Sequence, residues 1–184
     1  PFALLNIDLD RFKSVNDQFG HVAGDEVLKQ IGERLNSIAD EDTETARIGG
    51  DEFVCLLTGY ALRARALRTS EDIIDSIFSP ICAGGITAHI GASIGVVLHP
   101  DDGESIETLR QNADIAMYRA KLEAKRQPCF FDDQMDAAER DRRTLESHLH
   151  AAVEQGAIEV AYQPIIEAMG GDIIGFEALA RWTQ

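Results

Sequence analysis

The chain has 184 residues, 45% of them apolar and 27% charged, and carries a net charge of −15. That balance suits a folded domain with one good core and an additional piece. It argues against broad binding to nucleic acid or to an anionic membrane surface, both of which call for basic stripes, yet leaves room for a small anionic ligand held by a few lysines and a divalent cation.

No apolar stretch reaches the ~20 residues that span a bilayer, and the start lacks the basic and apolar regions of a signal peptide. Cys55, Cys82 and Cys129 show no C-x-x-C spacing. Cys55 and Cys129 lie in apolar runs and read as buried free thiols in a reducing cytosol. The chain opens abruptly on PFALLNIDL and ends as abruptly at ARWTQ, as expected of a piece of a longer protein.

In chain order, Phe2–Leu9 is a nearly continuous apolar run, the pattern of a strand buried on both faces, and it ends among Asp8 and Asp10. Residues 11–20 read as a short helical segment closed by Gly20. Gly24-Asp25 is predicted to open a second helix with Val27, Leu28, Ile31, Leu35 and Ile38 on its apolar face. Residues 39–45 form an acidic loop. Thr45–Ile48 and Phe53–Leu57 flank Gly49–Glu52 as strands flank a hairpin turn.

A helix is predicted from Ala61 to Phe78, then one long strand over Ile86–Leu98 in which Gly91 and Gly95 mark bulges or close approach. The next helix, 104–125, aligns Ile106, Leu109, Ala113, Met117 and Ala120. Pro128–Phe131 is a short final strand. Residues 132–156, dense in both charges, read as a solvated linker helix. Ile158–Ile166 and Asp172–Trp182 read as two strands joined by a glycine turn, too few residues for a second autonomous domain. The remainder of that domain is expected beyond Gln184.

Three places could carry chemistry. Asp8 ends an apolar strand, where a carboxylate must be solvated, paired or bound to a cation; the plainer reading is a turn residue or helix cap. At the hairpin, Gly49 and Gly50 supply positive φ and remove two side chains, while Asp51 and Glu52 point in different directions. One of them can share a metal with Asp8 if the strands are neighbours, and Mg²⁺ wants one or two carboxylates plus substrate phosphates. The plainer reading is an exposed acidic tip. Lys121 and Lys125, four apart on a helix, can reach one phosphate group or simply be solvated.

Taken together, NIDLDRFKSVNDQFGHVAGDEVL, RIGGDEF, ASIGV and ADIAMYRAK, in that order, resemble the GGDEF domain of bacterial diguanylate cyclases over residues 1–131. YQPII and GFEALARW, at 162–182, resemble the opening of an EAL domain, a cyclic di-GMP phosphodiesterase module, here occupying 157–184. The resemblance implies an α/β (α+β) fold of nucleotide-cyclase or palm type, with a central, mostly antiparallel sheet flanked by helices. It implies that Asp8, Asp51 and the Leu9 carbonyl hold Mg²⁺ or Mn²⁺, with Glu52 an essential acid that completes the metal site or helps deprotonate the attacking hydroxyl. Gly49 and Gly50 let GTP lie against the hairpin. Asn16 and Asp25 match the guanine contacts, Arg11, Phe12 and Lys13 the residues that wrap the terminal phosphates, and Lys121 and Lys125 those that neutralise them.

The implied reaction condenses two GTP into cyclic di-GMP and two pyrophosphates across a homodimer, in a cytoplasmic protein that carries a sensory domain upstream and an EAL domain downstream; a membrane anchor elsewhere in the parent is left open. The implied alternative is a silent GTP-binding module that regulates the EAL phosphodiesterase. In the EAL segment, Glu177 matches a metal ligand, Arg181 a substrate-phosphate contact and Gln163 a residue near the site.

The chain also departs from the family. Asp40 and Thr43 stand where the arginine and aspartate of the product-inhibition motif R-x-x-D are usual, so feedback at that site is expected to be lost. Ala124-Lys125-Arg126 replaces the usual Gly-Arg-Asn. The segment that normally precedes the first strand, with its D-x-L-T-G-L motif, does not occur in these 184 residues, as expected of a piece that starts at that strand.

Overall fold

Strand β1 (Phe2–Asp10) is the axis of a five-stranded sheet, and its sequence explains why. It pairs antiparallel with β3 (Glu52–Leu57) on one side and β6 (Gly91–His99) on the other. Beyond β3 lies β2 (Thr43–Gly49), antiparallel, and beyond β6 lies β7 (Cys129–Phe130), the one parallel neighbour, giving the order β2-β3-β1-β6-β7. A strand in this position needs apolar residues on both faces. The computed structural model describes residues 1–83, 86–123, 126–168 and 170–182, with the backbone alone at 83, 136–144, 146 and 147.

Ala3, Leu5, Ile7 and Leu9 face a core shared with helix α2 (His21–Ile38) and helix α3 (Leu62–Phe78). Leu4 faces the other way and joins Val97 and helix α4 (Ile106–Glu123) through Leu109, Ala113, Ile115 and Ala116. Each fully buried Leu or Ile contributes about 1.5–3 kcal/mol, so this double burial anchors the domain. The expected mostly antiparallel sheet flanked by helices is borne out.

Five local expectations are corrected. First, α2 begins at His21, not at Gly24. The break from helix α1 (Phe12–Phe19) is made by Gly20 at φ 84, and Gly24 lies inside α2. Gly24 serves close approach instead, since a Cβ there would fall 1.9 Å from Asn16 Oδ1. Second, Ile86–Leu98 is not one strand. Residues Ile86–Ala88 form β5 and fold back on β4 (Ile81–Ala83) as a separate hairpin before β6 begins. Two collinear apolar strands have the same period, so pattern alone merges them.

Third, Ile106 is 56% exposed, while Ile115 and Ala116 are buried on α4. Close approach at Gly95 is confirmed, because a Cβ there would fall 2.2 Å from the Ala113 carbonyl and the Met117 nitrogen. Fourth, Cys129 is only half-buried, as a residue of the two-residue edge strand β7. Cys55 is buried as expected, and burial pushes its thiol up to about 12. The acidic loop is also shorter than predicted, since β2 starts at Thr43 and pairs with Leu57.

The chain divides into two compact units, Pro1–Asp136 and Ala137–Gln184. Helix α5 (Asp133–Glu154) crosses that boundary. In the second unit, β8 (Glu159–Ile166) and β9 (Ile173–Arg181) form an antiparallel hairpin with most side chains exposed. Among the described residues no helix is long and apolar enough to cross a membrane.

Candidate active site

Asp8 stands at the end of β1, directly opposite Glu52 on β3 and Ser93 on β6. Opposed residues on neighbouring strands point to the same face, with Cβ atoms roughly 4.5–5.5 Å apart. Asp8, Glu52 and Ser93 therefore form one row across the sheet, on the side covered by α4. Lys121, from the last turn of α4, places Nζ 2.7 Å from Asp8 Oδ1.

The hairpin is fastened to this row. Leu9 N–H donates to the Asp51 carbonyl at 3.2 Å, and Arg47 Nε donates to the Gly50 carbonyl at 3.0 Å. A two-residue hairpin loop needs positive φ at its first position, and Gly50 supplies it at φ 55. The expected positive φ at both glycines is corrected: Gly49 does not take it, because it still belongs to β2, and it has open space where a side chain would project.

The electrostatics follow from burial. The Asp8 side chain is 13% exposed, and its desolvation raises the carboxyl above the usual range. Lys121 opposes the rise, while the negative charges of Asp51 and Asp10 reinforce it. The same hydrogen bond holds the Lys121 ammonium above its ordinary value. Asp10 is turned aside, accepting from Ser93 Oγ at 2.8 Å. Gly91 leaves the room for it, since a Cβ there would fall 2.8 Å from Asp10 Oδ2.

Arg11 takes left-handed geometry, φ 62 and ψ 21, and so turns the chain from β1 into α1. No side chain caps that helix start, whose N–H groups can receive an anion. Phe12 is buried and anchors the turn, while Arg11 and Lys13 are exposed. Asn16, half-buried, lies against Gly24, next to exposed Asp25.

The structure thus brings together Asp8, Leu9, Asp51, Glu52 and Lys121, and sets Arg11–Lys13 just past the strand end. Lys125 lies outside the described residues. Asp10 and Ser93 were missed as site neighbours, although the period of two in Asn6, Asp8 and Asp10 would have put all three on one face. Among the described residues, no three His, Cys, Asp or Glu side chains are grouped as a ready ligand set.

The predicted acidic loop and the second glycine turn are also defined. Asp40 accepts from Thr43 Oγ1 at 2.5 Å and from Arg65 of α3, whose guanidinium also reaches Thr43 Oγ1 at 2.9 Å and the Thr58 carbonyl. The Thr43 hydroxyl leads in holding the Asp40 carboxyl below its usual range. In the second unit, Gly171 at φ 76 closes the turn between β8 and β9, and its N–H donates to the Glu167 carbonyl at 3.0 Å. Glu177 sits opposite Gln163, and Arg181 opposite Glu159, across β8 and β9.

The mixed α/β sandwich of this sheet and its helices is the architecture of solved GGDEF domains. Residues 1–127 match the family model described as diguanylate cyclase, GGDEF domain, and the chain belongs to that family. MucR of Pseudomonas aeruginosa, a bifunctional diguanylate cyclase/cyclic di-GMP phosphodiesterase, is 39% identical over 183 residues, which cover 100% of this chain and 27% of MucR. NbdA of the same bacterium, a cyclic di-GMP phosphodiesterase, is 35% identical over 182 residues, 99% of this chain and 23% of NbdA. The GGDEF domain of YfiN (TpbB), also from that bacterium, matches with a TM-score of 0.68 at 41% identity, over 71% of this chain and 82% of that one. The chain spans about a quarter of the length of these curated relatives.

Proposed function

We propose that the first unit is a diguanylate cyclase that condenses two GTP into cyclic di-GMP and two pyrophosphates. The observation that carries this reading is the row of Asp8 and Glu52 on paired strands, with Asp51 beside it and Lys121 in answer. Asn16 and Asp25 would hold guanine, an amide and carboxylate pair suited to its O6 acceptor and its N1 and N2 donors. The bare start of α1 at Arg11, Phe12 and Lys13 would bind the terminal phosphates, and Lys121 with Lys125 would neutralise them. Gly49 and Gly50 would let the nucleotide lie on the hairpin.

The donor set fits a hard divalent cation, being all oxygen and free of histidine and cysteine. Asp8, Asp51 and the Leu9 carbonyl would hold Mg²⁺ or Mn²⁺, with Glu52 completing the site or taking the proton of the attacking 3′-hydroxyl. Bound there, the ions would supply charge stabilisation at the reacting α-phosphate. Each domain holds one GTP, so cyclisation needs two domains face to face and a monomer binds without turnover. Residues 132–156 would link this domain to the opening of an EAL domain at 157–184. There Glu177 would be a metal ligand, Arg181 a phosphate contact and Gln163 a neighbour of the site, within a longer protein with an upstream sensory domain.

The test is to incubate the parent protein with GTP and Mg²⁺ and separate cyclic di-GMP and pyrophosphate by chromatography. Asp51→Ala should lose turnover by roughly a hundredfold or more, since ion-derived stabilisation is worth several kcal/mol and ~1.4 kcal/mol is tenfold. Its far-ultraviolet circular dichroism should be unchanged. Full activity in that variant removes Asp51 from the site.

A second reading has its own support, because NbdA is called a phosphodiesterase and a stretch making up 23% of it resembles 99% of this chain. In that reading the domain binds GTP, makes no product and regulates the adjoining EAL domain. GTP binding without product in a demonstrated dimer decides for it.

A further inference from the structure

We propose that Asn6 is a positioning residue: by holding Asp114 it sets where α4 lies along the sheet, and so brings Lys121 to Asp8. Asn6 sits in the middle of β1, opposite Val54 and Gly95, two residues before Asp8 and on the same face. It is 7% exposed, between apolar neighbours, where an amide costs free energy unless its groups are bonded. Its Nδ2 donates to Asp114 Oδ1 on α4, and its Oδ1 has no hydrogen-bond partner. A side chain serving packing alone at this position would be apolar. The half-satisfied amide makes sense through the end that is bonded.

The two polar ties between β1 and α4 have different spacings. Asn6 and Asp8 are two strand residues apart, roughly 6.6 Å. Asp114 and Lys121 are seven helix residues apart, two turns or roughly 10.5 Å. Together they fix both the axial position and the crossing of the helix. The start of α4 has its own tie, from Asn112 Nδ2 to the Asp102 carbonyl at 2.8 Å, while the apolar contacts over β1 and β6 are permissive. The α4 backbone rests on Gly95 at Ala113 and Met117, and the flanking contacts are the small or aliphatic Leu109, Ala113, Ala116 and Ala120. Such contact is non-directional, so it docks the helix without setting its register. A hydrogen bond does set register, because it fails beyond a few tenths of an ångström and at poor angles. The consequence for catalysis rests on the nucleotide site proposed above, whereas the placement of Lys121 does not.

The experiment compares Asn6→Leu and Asp114→Leu, which break the bond, with Asp114→Asn, which keeps an oxygen acceptor for Asn6. Asp114 is exposed, so its variants carry the test if Asn6→Leu does not fold. A carbodiimide joins a carboxylate directly to a contacting amine, and peptide mass spectrometry then reads the Asp8–Lys121 cross-link in the 184-residue chain. The cross-link should fall several-fold in both Leu variants and persist in Asp114→Asn. Dissociation constants for GTP and for guanosine are measured alongside. GTP should weaken roughly ten- to hundredfold in the Leu variants, the worth of a charged hydrogen bond, with guanosine unchanged. Equal cross-link yields in all variants overturn the proposal, as does equal weakening of GTP and guanosine, the mark of general loosening. If the unsubstituted chain binds neither, the proposed function fails, and the cross-link still decides the role of Asn6.

Discussion

Lys121 Nζ lies 2.7 Å from Asp8 Oδ1, a contact between residues 113 positions apart in the chain. It ties the last turn of one helix to the end of the central strand. The carboxylate is nearly buried and the ammonium half-exposed, so the pair is unequal. Burial and the charges of Asp51 and Asp10 push the Asp8 carboxyl up by more than Lys121 draws it down. Desolvation leads that rise, and a divalent ion in the site proposed above would oppose it.

That imbalance has a consequence for stability. A carboxyl raised in the folded state adds stability below its unfolded pKa and loses that contribution as pH rises through the folded value. At neutral pH the charged Asp8 is therefore a cost. Asp8→Asn should raise Tm at neutral pH, and the gain should vanish below the carboxylate range, as thermal melts across pH will measure. The same variant should abolish cyclic di-GMP synthesis. A Tm lower than that of the parent at neutral pH would show that the Lys121 pair is net stabilising.

The hairpin glycines should separate stability from binding. Gly50 has φ 55 with open space around it, so Gly50→Ala pays only for the left-handed backbone, about 1–2 kcal/mol in urea unfolding. Gly49 has neither positive φ nor a neighbour within 4 Å, so Gly49→Ala should change stability by less than ~0.5 kcal/mol. It should nonetheless weaken GTP binding in a calorimetric titration, because the added methyl stands where the nucleotide would lie. Unchanged affinity would place the nucleotide elsewhere.

Most of this architecture was legible because it rests on local rules. The two-faced apolar run of β1, the period of α2 and the Gly-Gly hairpin each follow from chain geometry, and each is found within a few residues of its predicted place. What was not legible is what the hydrophobic period does not encode. The apolar period over Ile86–Leu98 does not show that Ile86–Ala88 turns back on Ile81–Ala83, and nothing near Ile106 says that it stays exposed. For the site, the strand-end carboxylate and the hairpin were readable, while their registration was not. That Glu52 is the residue opposite Asp8, and that Ser93 turns Asp10 away, are facts of contact between strands far apart in the chain, 83 positions in the second case.

At Gly95 a helix backbone rests directly on the sheet. A Cβ there would lie 2.2 Å from two backbone atoms of α4, which cannot rotate away as a flexible side chain would. Gly95→Ala should therefore lift α4 and destabilise the domain by at least about 1–3 kcal/mol, the usual range for overpacking. Denaturant midpoints will measure it. Lys121 rides on the same helix, so turnover per folded molecule should fall as well. A variant as stable as the parent would mean that α4 sits higher over β6 than described.

The last prediction concerns product. The R-x-x-D positions hold Asp40 and Thr43, and the nearby guanidinium of Arg65 is already engaged by Asp40, Thr43 and the Thr58 carbonyl. Asp42 lies 3.6 Å from the same group. An incoming cyclic dinucleotide would meet two carboxylates and a cation with its donors in use, so binding here would have to break bonds before making them. Cyclic di-GMP added to a turnover assay should accordingly inhibit weakly, and only in competition with GTP. Strong non-competitive inhibition that is lost in Arg65→Ala would show instead that Arg65 leaves Asp40 to hold product.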